Sequence, residues 1–396
     1  MISTQVQRYG HYSVNGQVHL NKNNAIIAAG MNLSNVKFIY NDEIFDRSDW
    51  TTEPEPSVSI TEFYRRRALQ IRNSYDYVIL MYSGGPDSTN VLNSFVNNNL
   101  LIDEIVNVNS YHRTGVVNGT IHNADYVYNA KPFLDSLVAE KNLQSKITIL
   151  DEIDLVQQHW KYSHTQGNDD LLFGAVPAPG MIITKQIWVK YVPHIWKMIL
   201  AGKKICIVLG SDKTSLTVVN GKYATSFPDI LLTDTSLMNS YDQDLKHLNL
   251  QEMFYHSPDC TDLIIKQAHI LKNFVDRHAL PTDFVPPNSR SNLSKTNHRP
   301  SYICQSKHSK EHLKYDIYHT LLYPGYTANI ITPKTTHMIT RPIDNWWIKD
   351  LESNGRNMFY HLLLHNVKKL TGTLGYDKNR LVGFPGIYTK PYYLEV

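Results

Sequence analysis

Four short apolar runs, most of them trailed by a helical pattern, constrain this 396-residue chain more than any other feature. They are Val78-Ile79-Leu80-Met81-Tyr82, Ile105-Val106-Asn107-Val108, Ile147-Thr148-Ile149-Leu150 and Ile205-Cys206-Ile207-Val208-Leu209. Near-continuous apolar runs of this length suit strands buried on both faces of a parallel sheet. Between them, Val91, Leu92, Phe95 and Val96 recur at helical spacing, as do Tyr126, Ala130, Phe133, Leu134, Leu137 and Val138. A further helical stretch near 183–200 contains Pro193, which predicts a kink there. Strands alternating with helices predict an α/β fold: a doubly wound, mainly parallel sheet with right-handed crossovers.

The flanks lack this rhythm. Asn15-Gly16 between short apolar runs predicts a hairpin, and residues 37–40 another strand, so residues 1–57 read as a small N-terminal β-rich lobe. Glu53-Pro54-Glu55-Pro56 forms a stiff connector. Ser59 followed by Glu62 fits a capping box. It opens a helix with Ile60, Phe63, Tyr64, Ala68 and Ile71 on its apolar face and Arg65, Arg66 and Arg67 on the polar one. The α/β domain then occupies residues 58–280. A Pro-, Ser- and Asn-rich stretch after Val285 begins a C-terminal extension, residues 281–396, with one helical stretch near 357–370.

Charge divides along the same line. Residues 285–396 hold 15 Lys and Arg against 7 Asp and Glu, and the remainder holds 24 against 29. A basic third suits nucleic acid or a phosphorylated partner, although scattered lysines on a solvated face give the same count. Charged residues are only 19% of the chain, which excludes long charged disordered tracts and coiled coil. No apolar run reaches the ~18 residues of a membrane helix, and the first residues lack a signal-peptide core. Cys206, Cys260 and Cys304 are too dispersed for a disulfide framework or a cysteine zinc site. The expectation is a soluble cytoplasmic protein with no membrane partner. The i,i+4 histidine pairs His308/His312 and His361/His365 lack the catalytic H-E-x-x-H form, and chance spacing among 18 histidines accounts for them.

The chemistry concentrates in Ser83-Gly84-Gly85-Pro86-Asp87-Ser88, between the first buried run and a helix. Two glycines let backbone approach a phosphate, and successive N–H groups can form an anion nest. The helix N-terminus adds about half a positive charge. Ser83 and Ser88 supply hydroxyl donors. Asp87 would repel a phosphate unless a cation intervened, so it reads as a Mg²⁺ ligand. Open α/β sheets bind ligands beyond the carboxyl ends of their strands, where this loop falls.

Ser-Gly-Gly-x-Asp-Ser after a buried strand resembles the signature of the PP-loop, or N-type, ATP pyrophosphatase superfamily, asparagine synthetase among its members. No Gly-Lys-Ser/Thr follows, so the loop is not a Walker A motif. A second element, Gly210-Ser211-Asp212-Lys213, resembles the Gly-Ser-Asp-Glu of asparagine-synthetase-type enzymes. The resemblance implies an adenine nucleotide alpha hydrolase-like domain that binds ATP and Mg²⁺. Asp87 and Asp212 would share the metal, Gly210 would line the phosphates, and Met81, Tyr82 and Asn109 would line the adenosine. Asn109 also suits a turn cap.

Lys213 stands where that family has a glutamate, and either neutralises phosphates or is simply solvated. Lys266, on a helix opened by Ser257-Pro258, is a second candidate for charge on the leaving pyrophosphate. An Asp262–Lys266 pair at i,i+4 is its plain alternative. The implied reaction adenylates a carboxylate or amide oxygen of a small-molecule acceptor for attack by an amine or ammonia. The alternatives are modification of a nucleic-acid base or its precursor, and non-catalytic nucleotide binding. Ile2 replaces the nucleophilic cysteine of a fused glutaminase, and 57 residues are too few for that domain, so the expected nitrogen source is external.

Overall fold

The apolar runs become the strands of one all-parallel sheet. The computed structural model describes residues 10–19, 22–30, 32–40, 54–109, 116–117, 120–121, 125–151, 155, 187–210, 213–214, 216–219, 222–227, 229, 250–277, 319–326 and 387–394. In chain order, β1 (His11–Val14), β2 (Gln17–His19), α1 (Lys22–Ala28) and β3 (Lys37–Ile39) form the first group. Then come α2 (Ile60–Ser74), β4 (Tyr77–Met81), α3 (Pro86–Val96) and β5 (Glu104–Asn109). The two-residue strands β6 (Val116–Val117) and β7 (Thr120–Ile121) precede a π-helical turn, Asp125–Ala130, which runs into α4 (Lys131–Lys141). β8 (Lys146–Asp151), α5 (Pro193–Leu200), β9 (Ile205–Leu209), β10 (Thr217–Val219) and β11 (Lys222–Thr225) follow. β12 (Gln251–Met253), α6 (Thr261–Arg277) and β13 (Tyr392–Tyr393) are the last among the described residues.

The main sheet has the order β12-β9-β4-β5-β8, every neighbouring pair parallel. The chain steps outward from β4 to β5 and β8, then returns to β9 on the other side. The direction of winding therefore reverses between β4 and β9, which creates a crevice at their carboxyl ends. Met81 closes β4 opposite Val106 on one side and Leu209 on the other. Val78, Ile79 and Leu80 are fully buried, and so are Cys206, Ile207 and Val208.

Several local expectations meet their physical limits here. Asn15 and Gly16 have φ of +50° and +81°, as a two-residue hairpin turn with the sheet's twist requires. Pro193 does not kink a helix but begins α5, at a position where its missing N–H costs nothing. A separate 3₁₀ turn, Ile187–Tyr191, precedes it. Ser59 Oγ does accept from the Glu62 N–H, but the Glu62 carboxylate turns to Arg65 and Arg66 instead of closing the capping box. Those guanidiniums hold the partly exposed carboxyl down to about 2. The edge strand β8 leaves Ile147 and Ile149 about two-fifths exposed, so it is not buried on both faces.

Arg67 departs furthest from the expected polar face. Its side chain is 2% exposed and pairs with Glu252 of β12 at 2.7 Å, and it also donates to the carbonyls of Met253 and Phe254. β12 is thus fastened to α2 by charge. A second buried carboxylate, Glu104, lies at the amino end of β5 and accepts from Tyr77, Thr148 and His194. Burial pushes its carboxyl up, but these hydrogen bonds outweigh burial and leave it below the usual range.

Among the described residues, three antiparallel sheets accompany the main one: β2-β1-β3, β10-β11-β13 and the β6-β7 pair. Tyr12 of β1 donates to Asp229 at 2.9 Å, and the Tyr40 hydroxyl donates to the His256 carbonyl. Close to the chain's end, β13 pairs with β11. The expected helix near 357–370 and both histidine pairs lie outside the described residues. Among the described residues, no helix is long and apolar enough to cross a membrane.

Candidate functional site

The loop 83–88 leaves β4 and enters α3 in the crevice between β4 and β9. Gly85 is the N-cap and Pro86 the first helical residue, where its fixed φ suits the helix. The first turn of a helix leaves N–H groups without intrahelical acceptors, the basis of an anion site. The loop is closed by its serines. Ser83 Oγ accepts from the Gly85 N–H at 3.3 Å and lies 3.2 Å from Ser88 Oγ, and Ser88 donates to the Gly85 carbonyl.

The two glycines play different parts. Gly84 has φ +76°, and a Cβ there would lie 2.7 Å from Ala130 Cβ and 2.8 Å from Ala130 N. Its glycine is needed for the turn and for packing against the end of the π-helical turn. Gly85 has φ −79°, a backbone any residue adopts. Gly84→Ala is therefore expected to act on stability first. The left-handed conformation alone costs about 1–2 kcal/mol. Gly16→Ala, with φ +81° and nothing within 4 Å, is the comparison that carries strain alone. Thermal melts should show Gly84→Ala losing clearly more than Gly16→Ala. Equal losses would mean that Ala130 yields freely.

The neighbouring strand end comes equally close. A Cβ on Gly210 would lie 3.1 Å from the Asp87 carbonyl and from Ser88 N and Cα. Gly210 therefore lets the end of β9 rest directly on the first turn of α3. Three residues on, Lys213 Nζ donates to Asp87 Oδ1 at 3.1 Å and to His319 Nε2 at 3.0 Å. Asp212 lies outside the described residues, so its expected pairing with Asp87 does too. The side chain of Asn109 is likewise outside them.

Asp87 is the hub of the site. Its Oδ1 also accepts the Tyr323 hydroxyl, and its main-chain carbonyl accepts the Tyr255 hydroxyl at 2.8 Å. Tyr255 in turn accepts from Asn90 of α3 at 2.9 Å. Tyr255 stacks on Tyr323 at 5.7 Å, and Tyr323 on His319 at 5.4 Å. Burial raises the Tyr323 and Tyr255 phenols well above their ordinary values, and the Asp87 charge raises them further. Both therefore stay protonated donors at neutral pH.

Lys266 is engaged elsewhere. Its ammonium pairs with Glu55 at 2.7 Å and donates to the Pro56 carbonyl at 2.8 Å, and Asp262 is not its partner. The residue that α6 sends toward the site is the next one, Gln267. Its Oε1 accepts from the Thr214 N–H at 3.2 Å, which anchors the residue beside Lys213. Its Nε2 donates to Tyr64 Oη, and Tyr64 donates to the Leu322 carbonyl.

Met81 ends β4 half-buried, whereas Tyr82 is buried with its hydroxyl 3.2 Å from Thr89 Oγ1. Burial pushes the Tyr82 phenol up to about 12, against a lowering by Thr89. The Tyr82 main chain is also engaged: N–H to the Val106 carbonyl, and carbonyl to Asn107 Nδ2 at 2.7 Å. Tyr82 thus helps join β4 to β5 and α3.

Tyr255, His319, Tyr323 and Gln267 were not legible as site residues. Tyr323 lies 236 positions from Asp87, and no local pattern links them. The groups that suit an anion are a helix N-terminus, the exposed Ser83 hydroxyl and a lysine ammonium at the same turn, whereas the Asp87 carboxylate beside them opposes one unless a cation intervenes. Among the described residues no three His, Cys, Asp or Glu side chains converge as a metal cage. A Mg²⁺ ion on nucleotide phosphates needs only one or two carboxylates, and Asp87, one-quarter exposed, offers one. Comparison with protein-family models finds no match to this chain, and comparison with curated proteins finds none either.

Proposed function

We propose that the chain is an AMP-forming ATP pyrophosphatase-type ligase of the asparagine-synthetase-like kind, its main sheet a doubly wound, adenine nucleotide alpha hydrolase-like domain. One observation carries the reading. The loop 83–88 opens α3 at the winding reversal between β4 and β9, with Lys213 and Asp87 paired on its first turn. Ligands of open α/β sheets bind at this point of the topology. The resemblance of Ser-Gly-Gly-x-Asp-Ser to the PP-loop signature supports the ligand proposed: the β and γ phosphates of ATP, with the α-phosphate left open to attack.

In this reading the α3 N-terminus and Ser83 grip the pyrophosphate portion, with Ser88 holding the loop closed behind them through the Gly85 carbonyl. Lys213 takes up charge as the α–β bond lengthens, where a fixed cation stabilises the transition state most. Asp87, with Asp212, would hold Mg²⁺, which neutralises phosphate oxygens when bound. The ends of β4 and β5, at Met81 and Asn109, would receive the adenosine, with Tyr82, buried and with its hydroxyl, N–H and carbonyl engaged, supporting them from behind. An acceptor carboxylate or amide oxygen attacks the α-phosphorus and pyrophosphate departs with the bonding pair. An amine or ammonia then displaces AMP, losing its proton to solvent or a nearby base. Lys266 has no part in this scheme, because Glu55 holds it.

Incubating the protein with Mg·ATP and pools of carboxylate and amine compounds tests the reaction class. The expected products are AMP and pyrophosphate in equal amounts, appearing only with an accepted compound. Asp87→Asn should lower turnover more than nucleotide affinity, because its contact strengthens in the transition state. ADP and inorganic phosphate as the sole products would overturn the reading.

A further inference from the structure

We propose that His319 and Tyr323 are positioning residues of the nucleotide site, which is therefore incomplete without the segment 319–326. The inference rests on the reading of residues 83–88 as a phosphate loop, and goes beyond it by assigning work to a part of the chain with no recognised motif. His319 lies 106 positions beyond Lys213 and Tyr323 lies 236 beyond Asp87, yet each contacts that charge.

The contacts are specific in chemistry. An ammonium only donates, so His319 Nε2, 3.0 Å from Lys213 Nζ, accepts as the neutral imidazole. His319 is 6% exposed, so this hydrogen bond is shielded from water. A phenol donates to a carboxylate, so Tyr323 gives its proton to Asp87 Oδ1. Lys213 is thus held between Asp87 and His319, with its charge 5.8 Å above the Tyr323 ring. Asp87 is held between Lys213 and Tyr323. Two long or rotatable side chains at the mouth of a helix N-terminus are each reduced to one orientation.

The segment is itself fixed from behind. Tyr64 of α2 donates to the Leu322 carbonyl at 2.8 Å, and Tyr255 stacks on Tyr323. His319 stacks on Tyr323 and meets Tyr326 edge-on at 5.2 Å. A rigid support of this kind is what lets a charge act on phosphate without reorganising first.

The test compares variants that keep the packing with variants that keep the hydrogen bond. His319→Phe preserves an aromatic ring but removes the acceptor. His319→Gln surrenders the ring and restores an acceptor oxygen. Tyr323→Phe keeps both stacks and removes only the hydroxyl. Binding of Mg·ATP and of inorganic pyrophosphate is measured by calorimetry on the full chain. His319→Phe and Tyr323→Phe are each expected to weaken both ligands about tenfold, the scale of one lost charge-assisted hydrogen bond. His319→Gln should recover most of that loss. If His319→Phe does not fold, Tyr323→Phe carries the comparison. Wild-type affinity in both Phe variants would overturn the inference alone, as would a His319→Gln protein no better than His319→Phe. A wild-type chain that binds neither Mg·ATP nor pyrophosphate would overturn the phosphate-loop reading, and this inference with it.

Discussion

Replacing Lys213 by methionine is expected to weaken Mg·ATP binding about a hundredfold while the fold survives. Methionine keeps an unbranched stem and removes the charge, which lies 5.8 Å above the Tyr323 ring. The ammonium lost is one that sits 3.1 Å from Asp87 at the first turn of α3. Without it the carboxylate is no longer balanced, and an incoming phosphate meets net repulsion where it met a neutral pair. A hydrogen bond to a charged group contributes about 1.5–3 kcal/mol, or roughly one to two factors of ten in affinity. The added repulsion places the expectation at the upper end. Calorimetric titration gives the number directly. Unchanged affinity in a folded Lys213→Met protein would make Lys213 a bystander.

The second large effect falls on stability. Arg67→Met is expected to cost about 3–5 kcal/mol, because it leaves the Glu252 carboxylate buried without its cation. Both side chains are within 3% of complete burial, so water cannot take the guanidinium's place. The double variant Arg67→Met, Glu252→Leu should regain much of the loss, since two apolar residues leave no unpaired charge. Chemical denaturation of the two single variants and the double variant measures the coupling. Single losses that simply add in the double variant would show that the pair does not hold α2 to β12 as described.

These two residues also show where a sequence stops being readable. β4 and β9 were legible because both faces of each are buried, and an uninterrupted apolar run of that length suits little but a strand covered on both sides. β12 was not, because its three residues are Gln251, Glu252 and Met253. The buried Glu252 has its charge matched by Arg67, an arginine 185 positions away that periodicity placed on the solvent side of α2. A helical wheel cannot reveal that a charge has a buried counter-charge. β8 carries the same alternating aliphatics as a core strand, but as a sheet edge it leaves Ile147 and Ile149 partly open.

The site divides in the same way. The loop 83–88 was legible because glycines, a proline and serines at a strand-to-helix junction have a local reason to be there. Even so, only the structure separates Gly84, which the turn and Ala130 require, from Gly85, whose φ does not demand glycine. Lys266 had an equally plausible spacing, yet Glu55 of the connector claims it, and the adjacent Gln267 reaches the site instead. His319 and Tyr323 reach Asp87 and Lys213 only through tertiary packing. Nothing in the sequence around them sets them apart from the other 17 histidines and 24 tyrosines.

Equilibrium binding of ATP to the intact chain tests the central claim most directly. ATP is titrated at saturating Mg²⁺ into the wild-type and Lys213→Met proteins, with pyrophosphate and adenosine as competitors. The expected result is one saturable site per chain, displaced by pyrophosphate more readily than by adenosine and severely weakened in Lys213→Met. No saturable binding, or binding that adenosine displaces, pyrophosphate does not and Lys213→Met leaves intact, would contradict a phosphate site at the start of α3.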